Sequence, residues 1–458
     1  MKFVFPLIFA ELTAISLLSG CVENKPFRLL GIDDDNYHNQ KPYFDEVKVS
    51  GDRTFQISFV EFDERGDFWD RRQLGRANIS IQKTKKPILL VTYIHGWHHN
   101  ADDRKPGTKN PGDVQTFRCL LSELAMSEST KDFQVHGVYL GWRGRLVQGP
   151  LDYLTFLDRK GAATRVAGTP VTETIFELIR QARRRHPDSK CVVIGHSFGA
   201  LVLEKAMAQA LTGGILAQDV QSNGQPFNAP ADLILLVNSA GESIYAKEMS
   251  DMLIRIKHRG SINGKHPLLI SITSESDTGT SRWFPIGTFF PNLFAHRQYH
   301  WDAKFGESSH EVDQNKYLTT TPGHNRLLFT HRIDPVTGVS TLPSAATIAT
   351  LKLAQKDCPS KEQPNPAFEE NLQQPQGLTF ATGSKEDPQQ LKWWKISPKV
   401  EDDRNPYWIM HVPDEIIHEH TPIFTPEGRA LMAALFRIAN PKGERGARQM
   451  QFGSLSKD

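Results

Sequence analysis

The sequence lacks an excess of charge of either sign. Its 458 residues carry 54 Lys and Arg against 52 Asp and Glu, a formal net charge of +2. Such a balance argues against nucleic acid or a strongly anionic molecule as the partner. Cysteine is scarce as well, with four residues, whose scattered positions fit neither a disulfide framework nor the spacing of zinc ligands. No repeat of fixed period is present, which excludes a solenoid or propeller array.

The N-terminal hydrophobic run is too short to indicate a transmembrane helix. The apolar stretch from Phe3 to Leu18 is short for a transmembrane helix, and Pro6 and Glu11 interrupt it. We therefore interpret this stretch as a targeting segment rather than as a membrane span.

The residues that follow this stretch identify the kind of targeting. Leu18-Ser19-Gly20-Cys21 resembles the lipobox of a bacterial lipoprotein signal peptide. The resemblance implies that residues 1–20 are removed, that the thiol of Cys21 is lipidated, and that the protein is tethered to a membrane of the bacterial cell envelope. Val22 stands where an aspartate would retain such a protein at the inner membrane, so the outer membrane is the expected destination.

The most informative stretch present is Cys191 to Ala200. An apolar run ends at Gly195, a single serine follows at Ser197, and Gly199 leads into the helix-like segment Leu201–Leu211. This G-x-S-x-G pattern is typical of a nucleophile elbow, in which a sharp strand-to-helix turn exposes the serine. A side chain at either glycine is expected to collide with the neighbouring strand or helix. Ser197 is therefore the predicted nucleophile.

Apolar runs elsewhere predict further buried strands that alternate with amphipathic helices. The predicted strands are 54–62, 87–94, 133–140, 232–238, 267–273 and 407–412, and the predicted helices are 113–126, 172–185, 243–256 and 426–438. This alternation predicts an α/β fold with a mostly parallel, doubly wound sheet.

Composition divides the rest of the chain. Residues 21–45 are polar and are predicted to be a tether, and residues 46–458 form the predicted domain. An irregular insertion is expected at about 281–404. It begins with an aromatic-rich stretch and contains a segment, 355–390, that is rich in Pro, Gln and charged residues.

The elbow and the order of strands resemble the α/β-hydrolase superfamily, and the resemblance covers most of residues 50–440. It implies a serine hydrolase that needs no cofactor and whose catalytic residues follow the order serine, acid, histidine. In this family the acid follows the second strand after the elbow, a position that fits Asp277, with Glu275 as the alternative. The histidine follows the last strand, a position that fits His420. His418 and the glycine-flanked His324 remain alternatives.

Two backbone N–H groups must stabilise the oxyanion of the tetrahedral intermediate. One is expected from Phe198, directly after the nucleophile. His95-Gly96-Trp97 follows an early predicted strand and resembles the family's His-Gly oxyanion motif, which assigns the second donor to Trp97.

The same loop invites a metal interpretation, since His98, His99, Asp102 and Asp103 lie close to His95. The spacing lacks the helical His-Glu-x-x-His pattern of zinc peptidases. We expect no metal here, and instead expect these histidines to shape the oxyanion loop by hydrogen bonding.

The sequence thus predicts a membrane-anchored serine hydrolase that cleaves carboxylic esters through an acyl-enzyme. Acyl lipids, including phospholipids, are the plausible substrates at a membrane. The alternative is a non-catalytic lipoprotein in which the hydrolase fold serves as a binding or assembly module.

Overall fold

The computed structural model describes residues 24–29, 41–102, 112–126, 130–147, 150–221, 229–258, 267–285, 288, 300–305, 308–336, 378–383, 391–399, 405–420 and 425–439. The predictions of a signal peptide at 1–20 and of a lipid anchor at Cys21 lie outside these residues. Within the ranges described, no helix is both long enough and apolar enough to cross a membrane.

The strands are β1 (Arg28–Leu29), β2 (Lys41–Pro42), β3 (Phe44–Ser50), β4 (Arg53–Glu61), β5 (Ile88–Ile94), β6 (Gln134–Gly141), β7 (Lys190–His196), β8 (Leu233–Val237), β9 (Leu269–Ser274), β10 (His300–Phe305), β11 (Ser308–Asp313), β12 (His331–Pro335), β13 (Leu378–Gly383), β14 (Leu391–Pro398) and β15 (Tyr407–Val412). One sheet joins eleven of them in the order β13-β14-β12-β15-β9-β8-β7-β5-β6-β4-β3. The strands from β12 to β4 run parallel, and antiparallel pairs lie at both edges.

The helices are α1 (Arg72–Lys83), α2 (Asp113–Met126), α3 (Phe156–Val166), α4 (Thr169–Arg185), α5 (Phe198–Gln221), α6 (Ser243–His258), α7 (Gln314–Thr319) and α8 (Pro426–Ala439). Two hydrophobic clusters cover the two faces of the sheet. Alternate residues of β5 belong to different clusters, with Leu90 in one and Leu89 in the other, as the period of two in a strand requires. Side chains of α1, α4 and α5 fill the first cluster, and those of α2 and α8 fill the second.

This architecture confirms the predicted α/β class with a mostly parallel sheet. The predicted strands and helices are all present, and α2 and β15 have the predicted bounds. Continuous or nearly continuous apolar runs made β5 and β8 easy to predict, because both strands are buried along their whole length. The sequence analysis did not predict helix α1, although its buried residues Leu74, Ala77 and Ile81 have helical spacing.

Two predictions about irregular regions were wrong. The segment 281–404 contains β12, β13 and β14, which extend the main sheet at one edge. The segment 21–45 is not a simple tether, since Phe44 and Asp45 begin β3. In addition, the backbone at Phe27 and Arg28 is hydrogen-bonded to the buried carboxylate of Glu61. In the parts of these segments that the structure describes, β3, β12, β13 and β14 are stabilised by pairing within the main sheet rather than by long apolar runs of their own.

Two cysteines lie in the described residues. Cys191 is free and fully buried at the start of β7, and burial raises the pKa of its thiol to about 12. Cys119 is disulfide-bonded, a bond that the scattered spacing of the cysteines did not indicate.

Candidate active site

Ser197 lies at the sharp turn between β7 and α5. Its φ of 56° is in the left-handed region that non-glycine residues rarely adopt. A Cβ at Gly195 would come within 2.6 Å of the carbonyl oxygen of Gly199, and one at Gly199 within 2.1 Å of that of Ile94. Both glycines are therefore required by close backbone approach, as the sequence predicted. The turn has the geometry of a nucleophile elbow.

Parallel strands bring the three predicted catalytic residues to one edge of the sheet. Ser197 follows β7, Asp277 follows β9 and His420 follows β15, so all three follow the carboxyl ends of strands in the parallel run β15-β9-β8-β7. The Oγ of Ser197 lies 2.7 Å from Nε2 of His420. The Nδ1 of His420 lies 2.9 Å from each carboxylate oxygen of Asp277. In this arrangement neutral His420 donates from Nδ1 to the acid and accepts the serine hydroxyl proton at Nε2.

The carboxyl group of Asp277 is completely buried. Burial alone would raise its pKa, but the charge of His420 and hydrogen bonds from His420 and Thr280 outweigh it and lower the pKa to about 2. Thr280 contributes two of these bonds, from its backbone N–H at 3.0 Å and from its hydroxyl. Asp277 is thus ionised at neutral pH and can balance an imidazolium.

The structure separates the predicted residues from their alternatives. Glu275 is exposed, and the exposed His418 is paired with Asp414 at 2.7 Å. His324 is near the site but one step removed from Ser197. Its Nε2 donates to Oγ1 of Thr280 at 2.8 Å, the same hydroxyl that donates to Asp277.

Unusual backbone conformations cluster at this edge of the sheet. Among the described residues, the non-glycine positions with positive φ are His98, Ser197, Asn238 and Glu419. Glu419 directly precedes His420, and its carbonyl accepts a 3.4 Å hydrogen bond from Nδ2 of Asn238. Strained residues persist only where their surroundings fix them, and such residues collect at functional sites.

The two predicted oxyanion donors flank Ser197. Phe198 is the first residue of α5, so its N–H has no partner within the helix. Gly96 passes so close to the nucleophile that a Cβ there would lie 2.6 Å from Cβ of Ser197. Trp97 follows directly, and its ring centroid is 6.1 Å from that of Phe198.

His95 fixes the peptide that joins Gly96 to Trp97. Its Nε2 accepts the backbone N–H of Trp142 at 3.0 Å, so Nδ1 carries the proton and donates to the carbonyl of Gly96 at 2.9 Å. Because a peptide is planar, fixing this carbonyl also fixes the orientation of the Trp97 N–H. Burial lowers the pKa of His95 to about 4, which keeps the ring neutral in this role.

A second histidine of the loop is held by an acid. Nδ1 of His98 lies 2.5 Å from the buried carboxylate of Asp152, which also accepts from Nε of Arg145 at 3.1 Å. These bonds hold His98, the residue with positive φ that follows Trp97. They are hydrogen bonds that shape the loop, as we expect from its sequence. In the described part of the chain, no group of three His, Cys, Asp or Glu side chains is placed to hold a metal ion.

Aromatic rings pack against Phe198, the residue that follows Ser197. The ring centroid of Phe156 lies 5.5 Å from that of Trp97 and 5.2 Å from that of Phe198. On the same segment, Leu154 and Leu157 are 81% and 48% exposed. Exposed apolar side chains on one segment provide a surface on which an apolar group of another molecule can bind.

The sequence did not single out Thr280, Asn238 or Asp152, each of which supports a predicted site residue. Each is one polar residue in or near a loop, and only tertiary contacts give it a role. In comparisons with known proteins, no protein-family model matches the chain and no curated protein is found as a relative.

Proposed function

We propose that this protein is a serine hydrolase of the α/β-hydrolase superfamily that cleaves carboxylic esters. The observation that carries the proposal is the chain of hydrogen bonds from Ser197 to His420 to Asp277, with distances of 2.7 and 2.9 Å. An unactivated serine hydroxyl is a poor nucleophile, and this arrangement supplies both the base and the group that orients it.

The proposed reaction has two stages. Oγ of Ser197 attacks the ester carbonyl while its proton passes to Nε2 of His420, and the N–H groups of Trp97 and Phe198 stabilise the oxyanion. The intermediate collapses to an acyl-enzyme, and His420 gives its proton to the departing alkoxide. A water molecule, deprotonated by His420, then attacks the acyl carbon, and the acid is released as Ser197 regains its proton.

Acyl lipids are the proposed substrate class. The half-buried Trp97 and Phe156, whose rings pack against Phe198, and the exposed Leu154 and Leu157 of the same segment as Phe156 support this choice, because they provide apolar surface near the residue that follows Ser197. We also propose that Cys21 carries a lipid, which would hold the enzyme at a bacterial envelope membrane, with the outer membrane as the favoured location.

Substrate preference is tested by comparing two assays on the purified protein. We expect release of p-nitrophenol from p-nitrophenyl butyrate and of fatty acid from phospholipid vesicles, both lost in Ser197→Ala. Activity on the short ester alone would contradict acyl lipids as the substrate class and would still support ester hydrolysis. A folded wild-type protein that is inactive in both assays would favour the alternative, a non-catalytic binding or assembly module.

The lipid anchor has its own test. Mass spectrometry of the N-terminal peptide from a membrane fraction should show an acylated Cys21, and Cys21→Ala should release the protein from that fraction. The chain has four cysteines, of which Cys191 is free and Cys119 is disulfide-bonded. A lipidated Cys21 therefore predicts that peptide mapping will link Cys119 to Cys358. A Cys21–Cys119 peptide would overturn the anchor.

A further inference from the structure

The N-terminal segment is held by buried side chains of the domain. The backbone N–H groups of Phe27 and Arg28 each donate to one carboxylate oxygen of Glu61, both at 2.8 Å. Nε2 of Gln73 donates to the carbonyl of Arg28 at 2.9 Å. Glu61 and Gln73 are 3% and 0% exposed, so the domain presents a built receptacle for this piece of backbone.

The side chain of Arg28 is buried in turn, with 2% of its surface exposed. Its guanidinium carbon lies 3.8 Å from the ring centroid of Phe59, and its Nε donates to the carbonyl of Ala101 at 2.8 Å. A guanidinium is costly to remove from water unless it is paired and hydrogen-bonded. The segment is therefore a component of the folded domain, and Arg28 is its fixing point.

Ala101 belongs to the loop that carries the candidate oxyanion donor, residues 95–102. Four carbonyls between Gly96 and Ala101 accept hydrogen bonds that hold this loop. The acceptor and donor pairs are Gly96 with Nδ1 of His95, His99 with the N–H of Gly144, Asn100 with the hydroxyl of Tyr139, and Ala101 with Nε of Arg28. The first three donors belong to the loop itself, to β6 or to the residues just after β6, whereas the fourth comes from the N-terminal segment.

We propose that Arg28 is a positioning residue that clamps the oxyanion loop, so that full activity requires the docked N-terminal segment. The inference rests on the proposed serine hydrolase function. Oxyanion donors act by being fixed before the reaction, and a loop that moves loses part of that advantage. Arg28 touches no reacting group and acts through the backbone of Ala101.

The clamp also lies close in sequence to the proposed lipid anchor. Cys21 precedes Phe27 by six residues, which span roughly 20 Å when fully extended. A lipid on Cys21 would therefore keep this edge of the domain close to the membrane. A cut between Cys21 and Phe27 would release the domain from the lipid but leave Arg28 joined to the domain and bound to Ala101.

The test uses the full chain with Arg28→Met. This change keeps a long side chain over Phe59 and the backbone N–H that donates to Glu61, but it removes every N–H donor of the side chain. We expect amide hydrogen exchange in residues 95–102 to accelerate about tenfold. We expect kcat for p-nitrophenyl butyrate to fall about tenfold with KM changed less than about twofold, since less oxyanion stabilisation is lost than when a donor is deleted. Arg28→Lys restores a cation and one donor and should recover most of both properties.

The control is Arg72→Ala, which removes an exposed arginine paired with Asp70 next to Gln73 and should change neither property. Unchanged exchange in a folded Arg28→Met overturns the clamp, and so does faster exchange with unchanged kcat. If Arg28→Met does not fold, a Lys variant with wild-type exchange and a tenfold loss of kcat overturns it as well. A wild-type protein without esterase activity instead removes the proposed function, while the exchange measurement still decides whether Arg28 holds the loop.

Discussion

The surroundings of Asp277 and Glu204 differ sharply, although both carboxyl groups are buried, with 0% and 4% exposure. Asp277 receives hydrogen bonds from His420 and from Thr280, and its pKa falls to about 2. Among the described residues, neither Oε of Glu204 has a hydrogen-bond partner, and burial raises its pKa to about 8, aided by the charge of Glu242.

The comparison shows what burial alone does to a carboxyl group. Burial favours the neutral form in both, and only the donors collected around Asp277 reverse this preference. Glu204 lies on α5, seven residues after the nucleophile, yet no donor in the described residues stabilises its charge. An ionised, fully satisfied carboxylate next to a histidine is the one suited to catalysis.

The largest effect is expected from Asp277→Asn. The amide can no longer hold His420 in the productive tautomer or balance its charge, so kcat should fall by about a thousandfold to ten-thousandfold. Glu204→Gln is the matched change at the other buried carboxyl and should leave kcat within about twofold of the wild type. Equal losses in the two variants, measured by ester hydrolysis, would remove the distinction between these carboxyls.

Glu204→Gln should instead change how stability depends on pH between 4.5 and about 8. Between the ordinary pKa of 4.5 and the folded value of about 8, the unfolded chain releases a proton that the folded protein keeps. The wild type therefore loses stability as the pH rises through this window, on the order of 1.4 kcal/mol per pH unit. Glutamine does not titrate. The free energy of unfolding of the variant, measured in urea, should therefore rise relative to that of the wild type between pH 5 and 8. A difference in free energy of unfolding that does not change with pH would contradict a protonated Glu204.

Asp277 should show the opposite dependence in acid. Its folded pKa of about 2 lies below the ordinary value of 3.8, so its contribution to stability is present above pH 3.8 and lost as the pH falls towards 2. The expected loss is about 2 kcal/mol, smaller than that for Glu204 because the window is narrower. Urea unfolding of the wild type and Asp277→Asn should therefore converge between pH 4 and 2. Parallel curves would indicate that Asp277 is not held ionised.

The smallest effect tests the donors themselves. Thr280→Val removes the hydroxyl that links Asp277 to His324 and leaves the backbone N–H in place. We expect kcat to fall about threefold to tenfold with KM unchanged, in keeping with the roughly 0.5–1.5 kcal/mol that one hydrogen bond contributes, since the backbone N–H of Thr280 and His420 still bind the carboxylate. Thr278→Val alters an exposed threonine of the same loop and serves as the control. Identical kinetics for both variants would show that the hydroxyl does not contribute.

The sequence predicts the catalytic residues in this contrast, but it does not predict the residues that surround Asp277 or the unpaired state of Glu204 within the described part of the chain. Ser197, Asp277 and His420 follow strands whose apolar runs are unmistakable, and the two elbow glycines mark a turn that few other sequences adopt. Thr280 gave no such signal, because a threonine in a loop becomes informative only when folding places its hydroxyl between Asp277 and His324. Glu204 likewise has an ordinary place in a helical pattern, and its lack of partners is a property of the packed interior.

The same limit explains the errors at the edges of the sheet. Strands β13 and β14 mix polar and aromatic residues, and their pairing, with Phe380 opposite Trp394, stabilises what neither segment predicts alone. Arg28 lies in a stretch whose polar composition indicated a tether. Its buried position depends on Glu61, Phe59 and Ala101, which are distant in sequence.

The most direct test of the central claim is covalent labelling of the folded protein with a fluorophosphonate probe, followed by intact-mass measurement and peptide mapping. We expect one phosphonyl group per chain, attached to Ser197, with no labelling of Ser197→Ala and normal labelling of Ser239→Ala, which alters another buried serine. Asp277→Asn should label much more slowly than Glu204→Gln. A folded wild-type protein that stays unlabelled, or that carries the label on another residue, would contradict the assignment of Ser197 as an activated nucleophile.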